Sequence, residues 1–403
     1  MVKKIALMFF TGLMVCSVYS QESTKWRGPN ANGIYPETGL MKQWPAEGPK
    51  MLWNTSGLGQ GYSSPVFADG KIFVSGALEN TGYIFVMDEA GKIIAKYSYG
   101  EEFVESYPGS RSSPTIAGNL LYMLSGIGKL VCMDIANGQI KWEKDVFKEF
   151  DGANIRWGIT ETLLVEGDKI FCAPGGTKNN VIALNRFTGE LIWSCAGKGE
   201  VSAYCSPILV KLPKRDLLVT MMANHILGID AKTGTLLWSY PQTNRWSVHA
   251  NTPIFSDGSL YCFSGYGQGG VKLKLNEDGT HGVKEWFNSS LDSRMGGAVL
   301  MDGYIYGSGD NNRQWFCIDW KTGENKYASS DFGKGVVVAA DGMLFCYSEN
   351  GEIALVEANS AAFKILGRMK ITLGSDQHWA HPVIKNGILY VRHGDTLMAY
   401  KIK

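Results

Sequence analysis

A hydrophobic pair, an Asp or Asn, a tight turn and a Trp recur along this chain. They appear as "VCMDIANGQIKW" at Val131–Trp142, "IALNRFTGELIW" at Ile182–Trp193 and "GIDAKTGTLLW" at Gly228–Trp238, with a weaker echo, "FCIDWKTGENKY", at Phe316–Tyr327. A fixed internal period constrains a fold more tightly than any composition does. Each unit opens with a short apolar strand, often introduced by Ser-Pro or Thr-Pro. A two-residue turn follows: Asp69-Gly70, Asp257-Gly258, Asp302-Gly303, Asp341-Gly342 or Asn386-Gly387. Asp-Gly and Asn-Gly favour the type I′ hairpin, whose twist matches paired strands. The second strand is aromatic and β-branched ("KIFVSG", "ILYVRHG"), and the third carries the small residue and the Asp or Asn. After the Thr-Gly or Asn-Gly turn a fourth strand ends in Trp or Tyr. Four hairpin-joined strands make one small antiparallel sheet.

The units start at Pro65, Pro114, Thr162, Pro207, Pro253, Ala298, Val337 and Pro382, in steps of 39 to 49 residues. Eight such starts predict an all-β chain, an eight-bladed β-propeller of four-stranded antiparallel blades. The last unit, His381–Lys403, runs out after three strands. The stretch "GPKMLWNTSG", Gly48–Gly57, reads like a strand that follows a motif turn. It is expected to complete the eighth blade and latch the ring, which removes exposed sheet edges. No Pro/Ser linker or charge run interrupts the period. Residues 21–403 are therefore expected to be one propeller domain, with 21–47 as a lead-in. The motif Trp are expected to pack against neighbouring blades rather than bind ligand.

Residues 1–20 read as a signal peptide: Lys3 and Lys4 precede the apolar run Ile5–Val15, which is too short to span a bilayer, and Val18-Tyr19-Ser20 ends it. A rival reading makes Leu13-Met14-Val15-Cys16 a lipobox, with Val a poor fit before the Cys. Either way the protein is expected to be exported, to periplasm or cell envelope, and peripheral to the membrane at most. Of eight Cys, Cys16 lies in the signal. Cys132, Cys262, Cys317 and Cys346 fall where small apolar residues stand in other repeats, so they read as core. A pairing of Cys195 with Cys205 stays open. With 39 basic and 38 acidic residues the net charge is +1. No global field draws such a chain to nucleic acid. A monomer is expected.

The repeat (A/G)-x-(D/N)-x-x-T-G-x-x-x-W resembles that of the PQQ-like propellers, the quinoprotein alcohol dehydrogenase-like repeat family that includes the BamB-type propellers. Its strongest copies are Ala183–Trp193 and Gly228–Trp238, and "WRGPNANGIYPETG" (Trp26–Gly39) looks like the lead-in of exported members. The quinoprotein branch implies PQQ over the central funnel, a Ca²⁺ held by Glu and Asn, a catalytic Asp and commonly a vicinal disulfide. Here no two Cys are adjacent, and no such Glu, Asn and Asp can be matched. The BamB branch implies a non-enzymatic lipoprotein scaffold in outer-membrane barrel assembly.

Loops leading into the innermost strands gather at one mouth of a propeller. The segments before each start pool Arg111, Arg156, Arg245, Arg294 and Lys334 with His249, His378 and His381. They also carry Tyr62, Tyr107, Tyr204, Trp157, Trp246 and Trp379, and Glu161 is their only carboxylate. A basic, aromatic funnel is expected. Arg forks suit carboxylate, sulfate or phosphate, and aromatic faces stack on sugars or planar cofactors. The expected ligand-binding set is Tyr62, Arg111, Arg156, Trp157, Tyr204, His249, Arg294, Lys334, His378, Trp379 and His381. Loop arginines also commonly hydrogen-bond neighbouring loops, so each has a structural alternative. His378 and His381 lack Cys or carboxylate companions, and no metal is assigned to them. "GYGQGG" at Gly265–Gly270 leads into a strand, not a helix, which argues against a dinucleotide fingerprint.

Three functions compete, and whether the chain is an enzyme stays open. The first is an envelope binding or scaffold protein, whose partner is an anionic small molecule or glycan, or an envelope protein. The second is a PQQ-dependent dehydrogenase of alcohols or sugars, PQQ with calcium resting on Arg111, Arg156 or Arg294 and stacking on Trp157 or Trp379. The third is a lyase of uronic-acid polysaccharide recruiting His249, Tyr204 and Arg156.

Overall fold

In the computed structural model, which describes residues 23–403, all five Asp-Gly and Asn-Gly pairs have positive φ at both residues. That is the type I′ geometry, and it closes the first hairpin of each of those units. The signal peptide, its cut after Ser20 and Cys16 lie outside the described residues. Eight four-stranded antiparallel sheets follow one another: blade 1 (66–101), blade 2 (115–145), blade 3 (164–195), blade 4 (208–241), blade 5 (254–288), blade 6 (298–329), blade 7 (335–370) and blade 8 (383–401). The innermost strands begin within two residues of the starts expected from the repeat. Blade 8 is completed by Met51–Thr55, which pairs antiparallel with Thr396–Lys401. This is the predicted closure. Among the described residues no helix is long and apolar enough to cross a membrane.

The core lies between blades. Middle strands such as Ser259–Ser264 and Met343–Ser348 are buried on both faces. All seven described cysteines are buried free thiols, Cys195 and Cys205 included. Outer strands alternate, and their motif Trp reach across to the next blade. Trp142 Nε1 donates to Arg186 O at 3.0 Å, Trp193 to Ala231 O at 3.1 Å, Trp238 to Gly279 O at 3.0 Å and Trp286 to Trp320 O at 3.1 Å. Trp53 closes the circle from blade 8 onto blade 1 through Glu89 O at 3.1 Å. Each acceptor lies in the turn between the third and fourth strands of the following blade. The turn and the Trp therefore recur together because they form the two halves of one interblade contact. Burying such a ring is worth about 4–6 kcal/mol before entropic costs.

Blade 7 breaks the pattern. Gly367 pairs with Leu355, the register position that Trp holds elsewhere. The lead-in supplies the missing ring: Trp44 lies against Gly367, where a side chain would collide with it, and packs on Phe345 at 6.1 Å. Upstream, the lead-in crosses the channel. Thr24 N donates to Ile116 O at 2.7 Å, Arg27 Nη2 to Ala298 O at 2.7 Å, and Ile34 bridges Ala339 in parallel. Glu37 accepts from the backbone of Asn386 and Gly387 at 2.8 and 3.0 Å. One segment thus ties blades 2, 6, 7 and 8 from inside the ring.

Candidate functional site

The crossing segment divides the channel. Above it a cup of about 190 Å³ opens at the mouth; below it lies a space of about 410 Å³ between the lead-in and blades 1 and 8. Trp26 lines both. Its ring meets His381 edge-on at 4.8 Å, and its Nε1 donates to Ser64 Oγ at 3.3 Å. Beside it Arg27 is 3% exposed and fills a space that only glycine leaves open. A Cβ on Gly297 would stand 2.0 Å from Arg27 Nη1. Arg27 Nη1 donates to His381 Nδ1 at 2.7 Å, so His381 Nε2 carries the hydrogen and donates to Met295 O at 2.9 Å. Burial, then the neighbouring Arg27 charge, pushes His381 down to about 3, and the imidazole is neutral.

The walls are aromatic. Tyr62 and Tyr107 flank Trp379 with ring centres 5.1 and 4.9 Å away, and Trp157 meets Tyr204 at 6.2 Å. These pairs are tilted by 44° to 57°, so no ring covers its neighbour's face. Tyr62 donates to Gln377 Oε1 at 3.0 Å, and Tyr204 Oη accepts from Trp157 N at 3.3 Å. Burial raises both phenols to about 12. Neither is poised as a base near neutral pH.

Of the eleven residues expected to bind ligand, Tyr62, Arg111, Trp157, Tyr204, Arg294, Trp379 and His381 line the cup. Four do not. His249 is fully buried: Val248 and Ala250 face the cup, and strand-like alternation turns the residue between them away. Its Nε2 lies 3.1 Å from Ala223 O, and burial lowers its pKa to about 4. His378 is wedged between blades 7 and 8, stacked on His393 at 3.7 Å, with Nδ1 at 2.6 Å from Tyr347 Oη. Lys334 pairs with Asp310 and, at 3.6 Å, with Glu349. Arg156 is exposed outside the cup, over Trp157 and Trp246. The trio considered for lyase chemistry is thus split: Tyr204 is inside, Arg156 on the rim, and His249 behind the wall.

The expected scarcity of carboxylates holds on one side only. Loops between second and third strands reach the same mouth, and those of blades 6 and 7 bring Asp310 and Glu349. Glu349 Oε1 holds Arg294 Nη2 at 3.0 Å, and the two acids close a network with Arg294 and Lys334. Glu161 cannot offset charge at neutral pH. It is 1% exposed, accepts from Ala173 N at 2.9 Å, and burial raises it to about 8. Arg111 is clamped by neutral carbonyls, those of Trp157, Gly109, Ser106 and Tyr107, at 2.6 to 2.8 Å. Reading only the loops before each first strand also missed Tyr266, which comes from "GYGQGG", and the floor residue Trp26. The hairpin position of Tyr266 was the available signal for the first.

The cup's residues do not fit PQQ with calcium. No Asp, Glu, Asn or Gln lines it, and among the described residues no three His, Cys, Asp or Glu are grouped to hold a metal. Hard cations need such oxygen donors. The cup is also smaller than the roughly 300 Å³ at which pockets for drug-sized ligands begin.

A family model described as outer membrane protein assembly factor BamB matches residues 80–329. The protein of that name from Yersinia pestis is 23% identical over 352 residues, covering 83% of this chain and 84% of that one. Its namesake from Kangiella koreensis is 26% identical over 156 residues, 39% of this chain, so this chain spans about a third (35%) of that relative's length. Among solved structures, BamB from Moraxella catarrhalis superposes with TM-score 0.63 at 15% identity, covering 88% of this chain and 99% of that one. A europium-containing methanol dehydrogenase gives 0.69 at 13%, covering 90% and 88%. At such identities these two likenesses show the fold alone. The family-model match runs through more than half of the sequence, and the chain belongs to the BamB-like family of PQQ-repeat β-propellers.

Proposed function

We propose that this protein is an exported cell-envelope binding or scaffold protein that receives a ligand or partner at the aromatic mouth of its ring. On this reading residues 21–403 form one propeller domain that works as a monomer in the periplasm, peripheral to the membrane at most. One observation carries the proposal: the channel is dead-ended by Trp26 and Arg27, leaving a cup with open aromatic faces and polar groups that already have partners. Such a cup holds a ring-bearing group and supplies no acid–base pair to transform it. The relatives' name, an outer membrane assembly factor, supports the compartment and a non-enzymatic role.

The test is a thermal-shift titration of residues 21–403, native and Trp379→Ala. The panel is acidic monosaccharides, planar aromatic carboxylates, and PQQ plus calcium. Ligand raises the midpoint by mass action. A saturable shift with a ring-bearing anion that Trp379→Ala abolishes is the expected result. A shift confined to PQQ plus calcium replaces this reading with the quinoprotein one. No shift from any member removes the cup as a site.

A further inference from the structure

We propose that the mouth is a track for the end of an acidic glycan chain. One sugar sits in the cup, and the units behind it cross an arginine–tryptophan ladder on the rim. This rests on the cup being a binding site, as proposed above, and adds the ligand's class and its direction of exit.

The ladder is continuous. The Arg156 guanidinium lies 5.3 Å from the Trp157 ring and 5.0 Å from Trp246; Arg245 lies 5.5 Å from Trp246 and 5.7 Å from Tyr266. Trp157 and Tyr266 also line the cup, so the ladder starts inside it and runs outward. Arg156, Arg245 and Trp246 are exposed, and neither arginine has an ion pair among the described residues. The other side of the mouth differs, since Arg294 there is matched by Asp310 and Glu349.

Buried charge reinforces the bias. Arg392, fully buried, donates to Ser63, Ser75, Gly59 and Gly394, all neutral acceptors. Arg27 likewise has no carboxylate partner among the described residues. Uncancelled cations around a low-dielectric cup attract an anion.

Size and stacking narrow the class. About 190 Å³ admits a single ring rather than a fused polycycle. Free aromatic faces occur within the cup, whereas Trp246 on the rim already carries two guanidinium groups. Units beyond the first therefore meet charge more than stacking surface. That suits an acidic polysaccharide, one anion per sugar, better than a single-stranded nucleic acid, which needs a ring face for each base.

The experiment follows tryptophan fluorescence of the native full-length mature chain with oligogalacturonides of one to six units. Comparison arms are sulfated galactan oligomers of matched length, neutral cello-oligomers and a ten-nucleotide oligo-dT. Affinity is expected to rise about three- to tenfold per unit over the second and third units, then level off. The gain is expected to shrink with added salt and to vanish in the Arg156→Ala/Arg245→Ala double variant. The uronate and sulfate arms tell which anion is preferred. Flat length dependence in the native protein overturns the track while leaving cup binding intact. Neutral oligomers binding as well as acidic ones overturn the requirement for charge. Oligo-dT outbinding sugars of equal charge overturns the glycan class. If no acidic sugar binds but another ring-bearing ligand gives the shift lost in Trp379→Ala, the track falls and the cup reading survives.

Discussion

The outer girdle and the central channel are made from the same eight repeats, yet they are built on opposite principles. In the girdle, one contact recurs: a Trp in the fourth strand of one blade donates to the third turn of the next. In the channel no two blades contribute alike. Blade 2 is preceded by an arginine gripped by carbonyls, blade 6 by one held by carboxylates, and a foreign segment lies across both. A repeated contact can lose one copy gradually, whereas a unique contact has no copies to share its load. The ring's stability is thus distributed, and its recognition chemistry is local.

The girdle gives the largest expected effect. Trp193 is 7% exposed and packs on Phe171 at 5.8 Å. Trp193→Ala should cost about 3–5 kcal/mol in urea unfolding. Trp286→Ala, the same contact one blade pair further on, should agree within about 1 kcal/mol. Widely different costs would break the idea of equivalent contacts. The floor comes next. Arg27→Ala leaves Ala298 O and His381 Nδ1 without their donor and should cost about 2–4 kcal/mol. It should also weaken any ligand that the cup holds, which Trp193→Ala should not do. Equal ligand affinity in native and Arg27→Ala protein would detach the floor from the site.

These two regions also differ in how far the sequence exposed them. Period, blade number, type I′ turns and the latch by Met51–Thr55 were legible because eight copies average out local noise. The same logic located the mouth and seven of its cup residues. It failed where placement depends on one side chain's direction or on a second set of loops. His249 sits in a mouth loop but points into the wall between Val248 and Ala250. Asp310 and Glu349 enter from hairpins that the loop count left out, and they neutralise half of the expected basic rim. Trp26 and Arg27 come from a lead-in with no period at all. Trp44 standing in for the Trp that blade 7 lacks is visible only once the ring is closed.

A third test sharpens the contrast through pH. Glu161 has its folded pKa raised from 4.5 to about 8 by burial. The folded state therefore binds the extra proton, so this contribution is full below the unfolded value and declines as pH rises toward about 8. His381 and His249, lowered to about 3 and 4, act in the opposite sense. Their contribution is full above 6.5 and is lost as pH falls toward those values. Glu161→Gln keeps an oxygen for Ala173 N and removes the titration. Its Tm should gain on the native protein steadily from pH 5 to pH 9; a constant difference across that range means that Glu161 is not held protonated.

The smallest effect separates two residues that the sequence makes look equivalent. His249 and Arg156 both lie in mouth loops and both carry a basic group. His249→Ala deletes a fully buried ring and its contact with Ala223 O, and should cost about 1–3 kcal/mol. Arg156→Ala removes an exposed guanidinium whose neighbours are ring faces, and should change stability by no more than about 0.5 kcal/mol. For binding the order reverses, since Arg156 belongs to the rim's charge and His249 reaches no ligand. A His249→Ala protein that keeps its Tm but loses ligand would mean that the loop turns over in solution to present its imidazole. The cup would then have a titratable wall that the folded arrangement hides.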